Sequence, residues 1–384
     1  MTDAIAINVR RFRTIKGLNQ GEVADKAGLS RNAYRAIETG TAEPRVSNLQ
    51  RIAKALRVST MDLVREVPKL ESVRFRSHKT MTTQQKAERS QMVANAALWL
   101  SDFDELEKML KVEHPDTISQ IRRDGRSPEE MAAAVRKDLH LNESQPVQDI
   151  CDYLEGAGIK IYLFESDLEQ VFGFSVSANV GGPAIAVNVR DDIAVERRIF
   201  TTAHELGHII LHRESYDGEE GKELDDQERE ATIFAGHFLM PPAAFDAAWN
   251  ETRGLNFAAR VMKVKRHFLV SFMTVLMRLT SKGVVDATVW SKFPGLFEAR
   301  YGKKLRRRSE PFPASAEEFM YAGRETKKCE PEGLTDSDFI EDRLDNLVRD
   351  ALDQQLISID RAAEILHVSP SDMRDRMDTW KLAR

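Results

Sequence analysis

Apolar positions along this chain recur mostly at the three-to-four-residue spacing of one helix face, and only a few short stretches alternate as strands do. Ile7, Val9, Phe12 and Ile15 set a first apolar stripe, interrupted by Gly17. Gln20 to Ala27 is a second short helix, stopped by Gly28. Ser30 caps a third, Arg31 to Glu38, which ends at Gly40. The reasons are local: a Ser hydroxyl satisfies a first-turn N–H, and Gly accepts the left-handed backbone that closes a helix. Pro44 marks a loop; Leu49, Ile52, Ala53 and Leu56 make a fourth helix, and Met61, Leu63 and Val64 a fifth before Pro68.

Residues 69–80 are polar, with a candidate short strand at Val73–Phe75. Residues 81–113 predict a long helix carrying Met92, Ala96, Trp99, Phe103 and Leu106, broken by Pro115. Ser127-Pro128 starts another, with Pro in the first turn, and 146–156 a further one. Then the period changes. Ile159–Phe164, Phe172–Val176 and Ala184–Val189 are strand-like, with a turn at Gly181-Gly182-Pro183. A long helix from about Asp192 to His212 precedes a polar loop. A second, from about Leu224 to Met240, stops at Pro241-Pro242. Helices near 243–249, 257–267 and 270–282 follow, and residues 291–384 are more polar, with at least two helices after about 335. The expected fold class is mainly α with a small β-sheet.

Length changes this picture first: 384 residues suffice for two or three domains. A hydrophobic content of 42% supports packed cores, and 30% charged residues fit a protein that lives in water. No apolar run reaches the roughly 18 residues needed to cross a bilayer, so no membrane contact is expected. The start of the chain lacks the basic and apolar stretches of a signal peptide, so the cytoplasm is the expected location. The two cysteines, Cys151 and Cys329, make neither a disulfide framework nor a cysteine zinc cage. Any metal therefore rests on His and carboxylates. The net charge of −5 hides an asymmetry: residues 1–67 hold twelve Lys/Arg against seven Asp/Glu. A basic head on an acidic body suggests a local polyanion contact.

His204 and His208 stand four apart on a predicted helix, so both imidazoles project from one face and can reach one metal. Glu205 sits beside the first. In a zinc peptidase such a carboxylate takes a proton from the attacking water and passes it to the leaving amine. The blander reading is two partly buried histidines on an amphipathic helix, and a third ligand decides between them. The next helix offers Glu223, Glu228 and Glu230. At about 100° per residue, Glu228 lies about 50° from the centre of that helix's apolar face and Glu230 about 110°. Glu228 is the better inward carboxylate. His212 is a rival ligand, or a polar residue favoured at a helix C-terminus.

The run Arg198-Ile199-Phe200-Thr201-Thr202-Ala203-His204-Glu205-Leu206-Gly207-His208-Ile209-Ile210-Leu211-His212 resembles the ImmA/IrrE family of bacterial metallopeptidases. So does Glu228-Arg229-Glu230-Ala231-Thr232-Ile233-Phe234-Ala235, with its Leu239-Met240-Pro241 ending. The similarity covers roughly 127–285. It departs at Thr232, where the family commonly has Asn or Asp, and at the bulky Gly236-His237-Phe238. The resemblance implies Zn2+ held by His204, His208 and Glu228, with Glu205 as acid/base. It also implies narrow specificity for regulatory proteins such as repressors or antitoxins after stress or mobile-element signals. Tyr216 and His237 are candidate oxyanion donors, and the strand Ala184–Val189 a candidate to pair with an extended substrate.

The pattern Gln20, Ala24, Gly28-Leu29-Ser30, Tyr34, Ile37-Glu38, Gly40, Pro44, Leu49, Ile52-Ala53, Leu56 and Val58-Ser59 is similar to the Xre/Cro-type helix-turn-helix family. The capped helix after the Gly turn is the one expected in the major groove of double-stranded operator DNA. Arg31, Asn32 and Arg35 fall on its N-terminal and exposed positions, where Arg reads guanine and Asn adenine. Gln20, Arg45 and Asn48 are expected on phosphates. Such heads bind as dimers on two half-sites, so a homodimer is expected.

The domain expectation is therefore a helix-turn-helix head over 1–67, a helical linker over 68–126, an α+β zincin-like metallopeptidase domain over 127–290, and a helical C-terminal region over 291–384. The leading functional expectation is a DNA-binding regulator whose zinc endopeptidase cleaves a regulatory protein or itself. Two rivals stand beside it: a transcription factor whose peptidase fold only senses a ligand or partner, and the antitoxin or immunity component of a mobile element. Two further features lie in the tail. Ala362–Pro370 faintly resembles another helix-turn-helix, and a Cys329 thiolate beside Lys327 and Lys328 could close the zinc site.

Overall fold

The computed structural model describes residues 2–68, 70, 73–75, 82–112, 117–168, 171–177, 181–216, 225–305, 310 and 333–382. Cys329 lies outside these residues. The chain divides into two compact units: Met1–Glu71, Thr80–Glu113 and Asp342–Arg384 make one, Ser72–Lys79 and His114–Glu341 the other.

The first unit begins with α1 (Thr2–Ile15), α2 (Gln20–Ala27), α3 (Arg31–Glu38), α4 (Val46–Leu56) and α5 (Thr60–Val64). Asn19 caps α2 reciprocally: its side chain accepts from the Glu22 amide at 3.0 Å, and the Glu22 carboxylate accepts from the Asn19 amide at 2.7 Å. Gly28 closes α2 with φ 62°, and Ser30 caps α3. Val9, Phe12, Val23, Tyr34, Ile52, Leu56 and Leu63 form the core. Glu38, buried beneath it, accepts two bonds from Arg13, at 2.7 and 2.9 Å. The same unit contains α6 (Thr83–Leu110) and the last helices, Arg343–Asp353, Ile359–Ile365 and Pro370–Leu382. Thus α6, within the stretch expected as a linker, and the last helices, within the expected C-terminal region, compact with the head. Asp102 of α6 is buried 2.6 Å from Arg65 Nη1 and 2.7 Å from Arg361 Nη2, with Arg11 Nη2 at 3.8 Å.

The second unit holds the sheet: β1 (Val73–Phe75), β2 (Lys160–Phe164), β3 (Gly173–Val176) and β4 (Ala184–Asn188), in the order β1-β3-β4-β2. β1 and β4 both pair antiparallel with β3, and β2 pairs parallel with β4. All four residues of β3 and all five of β4 are buried, as strands covered on both faces are. After α7 (Thr117–Gln120), α8 (Pro128–Asp138) and α9 (Ile150–Gly156) come the long helices α10 (Val195–Leu211) and α11 (Asp225–Leu239). Both belong to one apolar core with Ile185, Val187, Phe245, Val261 and Leu279. α12 (Pro242–Glu251), α13 (Phe257–Phe268), α14 (Phe272–Ser281) and α15 (Val289–Tyr301) complete it. The sequence pattern does not predict α15, because Pro294 and Gly295 lie inside it. Packing overrides that penalty. Phe293 is fully buried and stacks on Phe272 at a centroid distance of 5.4 Å.

Candidate metal centre and DNA-binding face

The centre starts from a glycine. A Cβ on Gly207 would lie 3.1 Å from Phe234 Cδ1 and 3.2 Å from Ala231 Cα. Its absence lets α10 and α11 approach closely, so the N-terminal part of α11 faces the histidines of α10. His204 Nε2 is 3.2 Å from Glu228 Oε2, His208 Nε2 is 3.0 Å from Glu228 Oε1, and the two Nε2 atoms are 3.1 Å apart. Among the described residues, this is the only group of three potential metal-ligating side chains whose donor atoms all lie within 4.8 Å of one another. All three are buried.

Burial pushes His208 down to about 3, against the pull of Glu228. Its imidazole is therefore neutral at pH 7, the form that binds a metal. Burial alone would raise Glu228, but the adjoining His204 and His208 rings hold it below the ordinary carboxylate range. Two imidazoles and one carboxylate, buried and converging, fit the donor set of a catalytic zinc ion.

Glu230 stands elsewhere. Arg123 grips it with two bonds, at 2.5 and 2.9 Å, and His212 Nε2 is 2.9 Å from it. His212 is buried at the end of α10, with Nδ1 3.0 Å from His208 Nδ1. These contacts couple the tautomers of the two rings. If His212 Nε2–H donates to Glu230, its Nδ1 accepts from His208 Nδ1–H, and His208 Nε2 turns its lone pair to the cluster. His212 thus orients a candidate ligand and lies outside the cluster.

Glu205 is buried one residue from His204. Its Oε2 accepts from Ser175 Oγ at 2.7 Å, and Ser175 Oγ accepts from the Tyr216 hydroxyl at 2.7 Å. Burial raises Tyr216, so it stays protonated and keeps that donor. Thr232 Oγ1 is 3.4 Å from His204 Nδ1. His237 is engaged away from this chain of bonds, with Nδ1 on the Ile233 carbonyl at 3.0 Å and Nε2 on Arg278. Sequence reasoning missed Ser175, Arg123 and Arg74. They reach the centre from a distant strand, a distant loop and an edge strand, and nothing local marks them. It also misplaced the substrate strand: β4 lies between β3 and β2, so both its edges are already paired.

In the head, Arg31, Asn32 and Arg35 are exposed on α3, and Arg45 is exposed at the start of α4. The other two candidates have partners within the unit. Gln20 donates its amide to Glu38 at 3.0 Å, and half-buried Asn48 accepts from Arg51 at 2.5 Å.

A helix-turn-helix family model matches residues 9–63, and a model described as the IrrE N-terminal-like domain matches residues 154–280. The cryptic phage CTXphi transcriptional repressor RstR of Vibrio cholerae is 38% identical over 56 residues, 15% of this chain and 50% of that protein. The uncharacterized HTH-type transcriptional regulator y4dJ of Sinorhizobium fredii is 38% identical over 64 residues, 17% of this chain and 83% of that protein. The chain therefore spans half the length of one relative and most of the other. It belongs to the Xre-type helix-turn-helix transcriptional regulators. To that DNA-binding head it joins an IrrE/ImmA-like domain with a metallopeptidase-like fold. No described helix is long and apolar enough to cross a membrane.

Proposed function

We propose that this regulator is a zinc-dependent endopeptidase whose substrate is a regulatory protein: a repressor, an antitoxin or the chain itself. The head over 1–67 binds operator DNA as a homodimer, and the domain over 127–290 cuts. The observation that carries this reading is the convergence of His204 Nε2, His208 Nε2 and the Glu228 carboxylate beside buried Glu205.

His204, His208 and Glu228 would hold the metal. A bound zinc ion supplies Lewis acidity, which polarises a peptide carbonyl and acidifies water near neutral pH. Glu205 takes the proton from the attacking water and returns it to the leaving amine. Ser175 holds the Glu205 carboxylate in one orientation, and Tyr216 completes that chain of donors. The buried setting keeps these bonds strong and excludes bulk water.

Metal analysis of the purified chain beside Glu205→Gln tests the reading. One zinc per chain is expected in both, with cleavage of the partner repressor lowered about 10²–10⁴-fold in Glu205→Gln. Normal regulation in cells by Glu205→Gln would replace the peptidase by a sensor. Light scattering of the chain with and without operator DNA tests the dimer.

A further inference from the structure

An extended protein segment needs backbone partners that do not depend on its sequence, and a sheet edge supplies them. β3 is the strand that runs against the candidate centre. Its Gly173 lies so close to α10 that a Cβ there would be 2.5 Å from Thr201 Cγ2 and 3.5 Å from Glu205 Cγ. Two residues on, Ser175 holds Glu205. A segment paired along the outer edge of β3 would therefore pass the acid/base carboxylate.

That edge is covered by β1, with Val73 opposite Val176, Arg74 opposite Ser175 and Phe75 opposite Phe174. Residues opposite one another in an antiparallel pair project to the same face. Arg74 thus shares the face on which Ser175 meets Glu205. Its Nη1 donates to Gln227 at 2.6 Å, and its Nη2 lies 3.9 Å from Glu228 Oε1. The side chain is 9% exposed, and its Nε and Nη2 find no hydrogen-bond acceptor among the described residues. A guanidinium buried with unmet donors is costly, and a three-residue strand gains little to offset it. Along the chain, Ser72–Lys79 belongs to the sheet's unit, while the stretches on both sides of it belong to the other unit. β1 is thus a short excursion into the peptidase-like unit, placed against its centre.

We propose that the outer edge of β3 is the substrate-binding edge and that Val73–Phe75 occupy it in cis, masking the site. Arg74 stands where a basic side chain of the substrate lies. The substrate class is an extended protein segment, antiparallel to β3, with Arg or Lys opposite Ser175. This rests on the peptidase reading, and the site opens only when β1 leaves.

The test uses the full chain carrying Glu205→Gln, so that nothing is cut, with and without Val73→Pro, since Pro is among the residues least favoured in a paired strand. The probe is a fluorescein-labelled peptide with the sequence of residues 70–78, titrated by anisotropy. A tethered strand competes at an effective concentration on the order of millimolar, so its release should tighten peptide binding about tenfold or more. The same peptide with Arg74→Glu should bind the released edge about tenfold more weakly, a loss of about 1.4 kcal/mol. Hydrogen exchange should speed up at residues 173–176 in Val73→Pro and slow again with peptide. Should Val73→Pro fail to fold, Arg74→Glu in the protein, which sets a carboxylate against Glu228, should release the strand in the same way. Equal peptide affinity and equal exchange with and without release would overturn the proposal. Zinc-loaded chains with Glu205 restored separate the two readings. Partner cleavage at equal rates with and without Val73→Pro would overturn the masking and leave the peptidase standing. Peptide capture by the released edge with no cleavage of any partner would uphold the edge and sink the peptidase.

Discussion

Glu38 shows at the residue scale how one buried charge sets conditions on the head. Burial alone would raise its pKa, but bonds from Arg13 and Gln20 hold it below the ordinary carboxylate range. A carboxylate depressed in the folded state stabilises fully above the unfolded pKa, and that contribution is lost as pH falls through the folded one. Glu38→Gln should therefore cost about 1–3 kcal/mol at pH 7, the scale of hydrogen bonds to a charged group. The difference should shrink toward zero on acidification, as the wild type protonates; urea melts from pH 7 to pH 3 read this directly. Arg31 makes a different demand. Exposed at the start of α3, it should lose about 1–3 kcal/mol of operator affinity when changed to Ala, with weakened preference at one base pair. Equal loss on all sequences in a binding titration would make it a phosphate contact instead.

Elements were legible where propensity and packing agree. The strand runs at 160–164, 173–176 and 184–188 and the paired helices α10 and α11 follow directly from apolar period, turn residues and prolines. α15 was not legible, because Pro294 and Gly295 argue locally against a helix whose buried Val289, Phe293 and Phe297 hold it in the core. The order of strands was not legible either. Alternation tells that a strand has a buried face, and pairing depends on partners distant in the chain. The α10–α11 contact offers the sharpest test at this scale. Gly207→Val should overpack it and cost about 1–3 kcal/mol. Because Glu228 rides on α11, zinc affinity should fall as well, by calorimetry on the folded variant. A variant as stable and as metal-avid as the parent would mean that the helices do not meet as closely as the Gly207 contacts require.

For the molecule as a whole, the head extends beyond its five short helices. Asp102 of α6 meets Arg65 at the end of the head and Arg361 of the last helices, so segments far apart in sequence share one carboxylate. Removing one partner from a buried ionic cluster leaves charge uncompensated, and Asp102→Ala should cost this unit about 3–5 kcal/mol. Hydrogen exchange should then accelerate together in α1, α6 and Ile359–Ile365; acceleration confined to α6 would refute the shared role. By itself, the sequence determined the elements with strong local signals, the His204/Glu205/His208 face, the inward lean of Glu228, and the exposed Arg31, Asn32 and Arg35, because each follows from helical period and capping within one or two turns. Tertiary structure alone decided which carboxylate meets the histidines and which pairs with Arg123. It also decided that Ser175 holds Glu205, that Asp102 ties the ends of the chain, and that Arg74 sits beside the centre. Those are contacts between side chains far apart along the backbone, and only the packing of whole elements sets such distances.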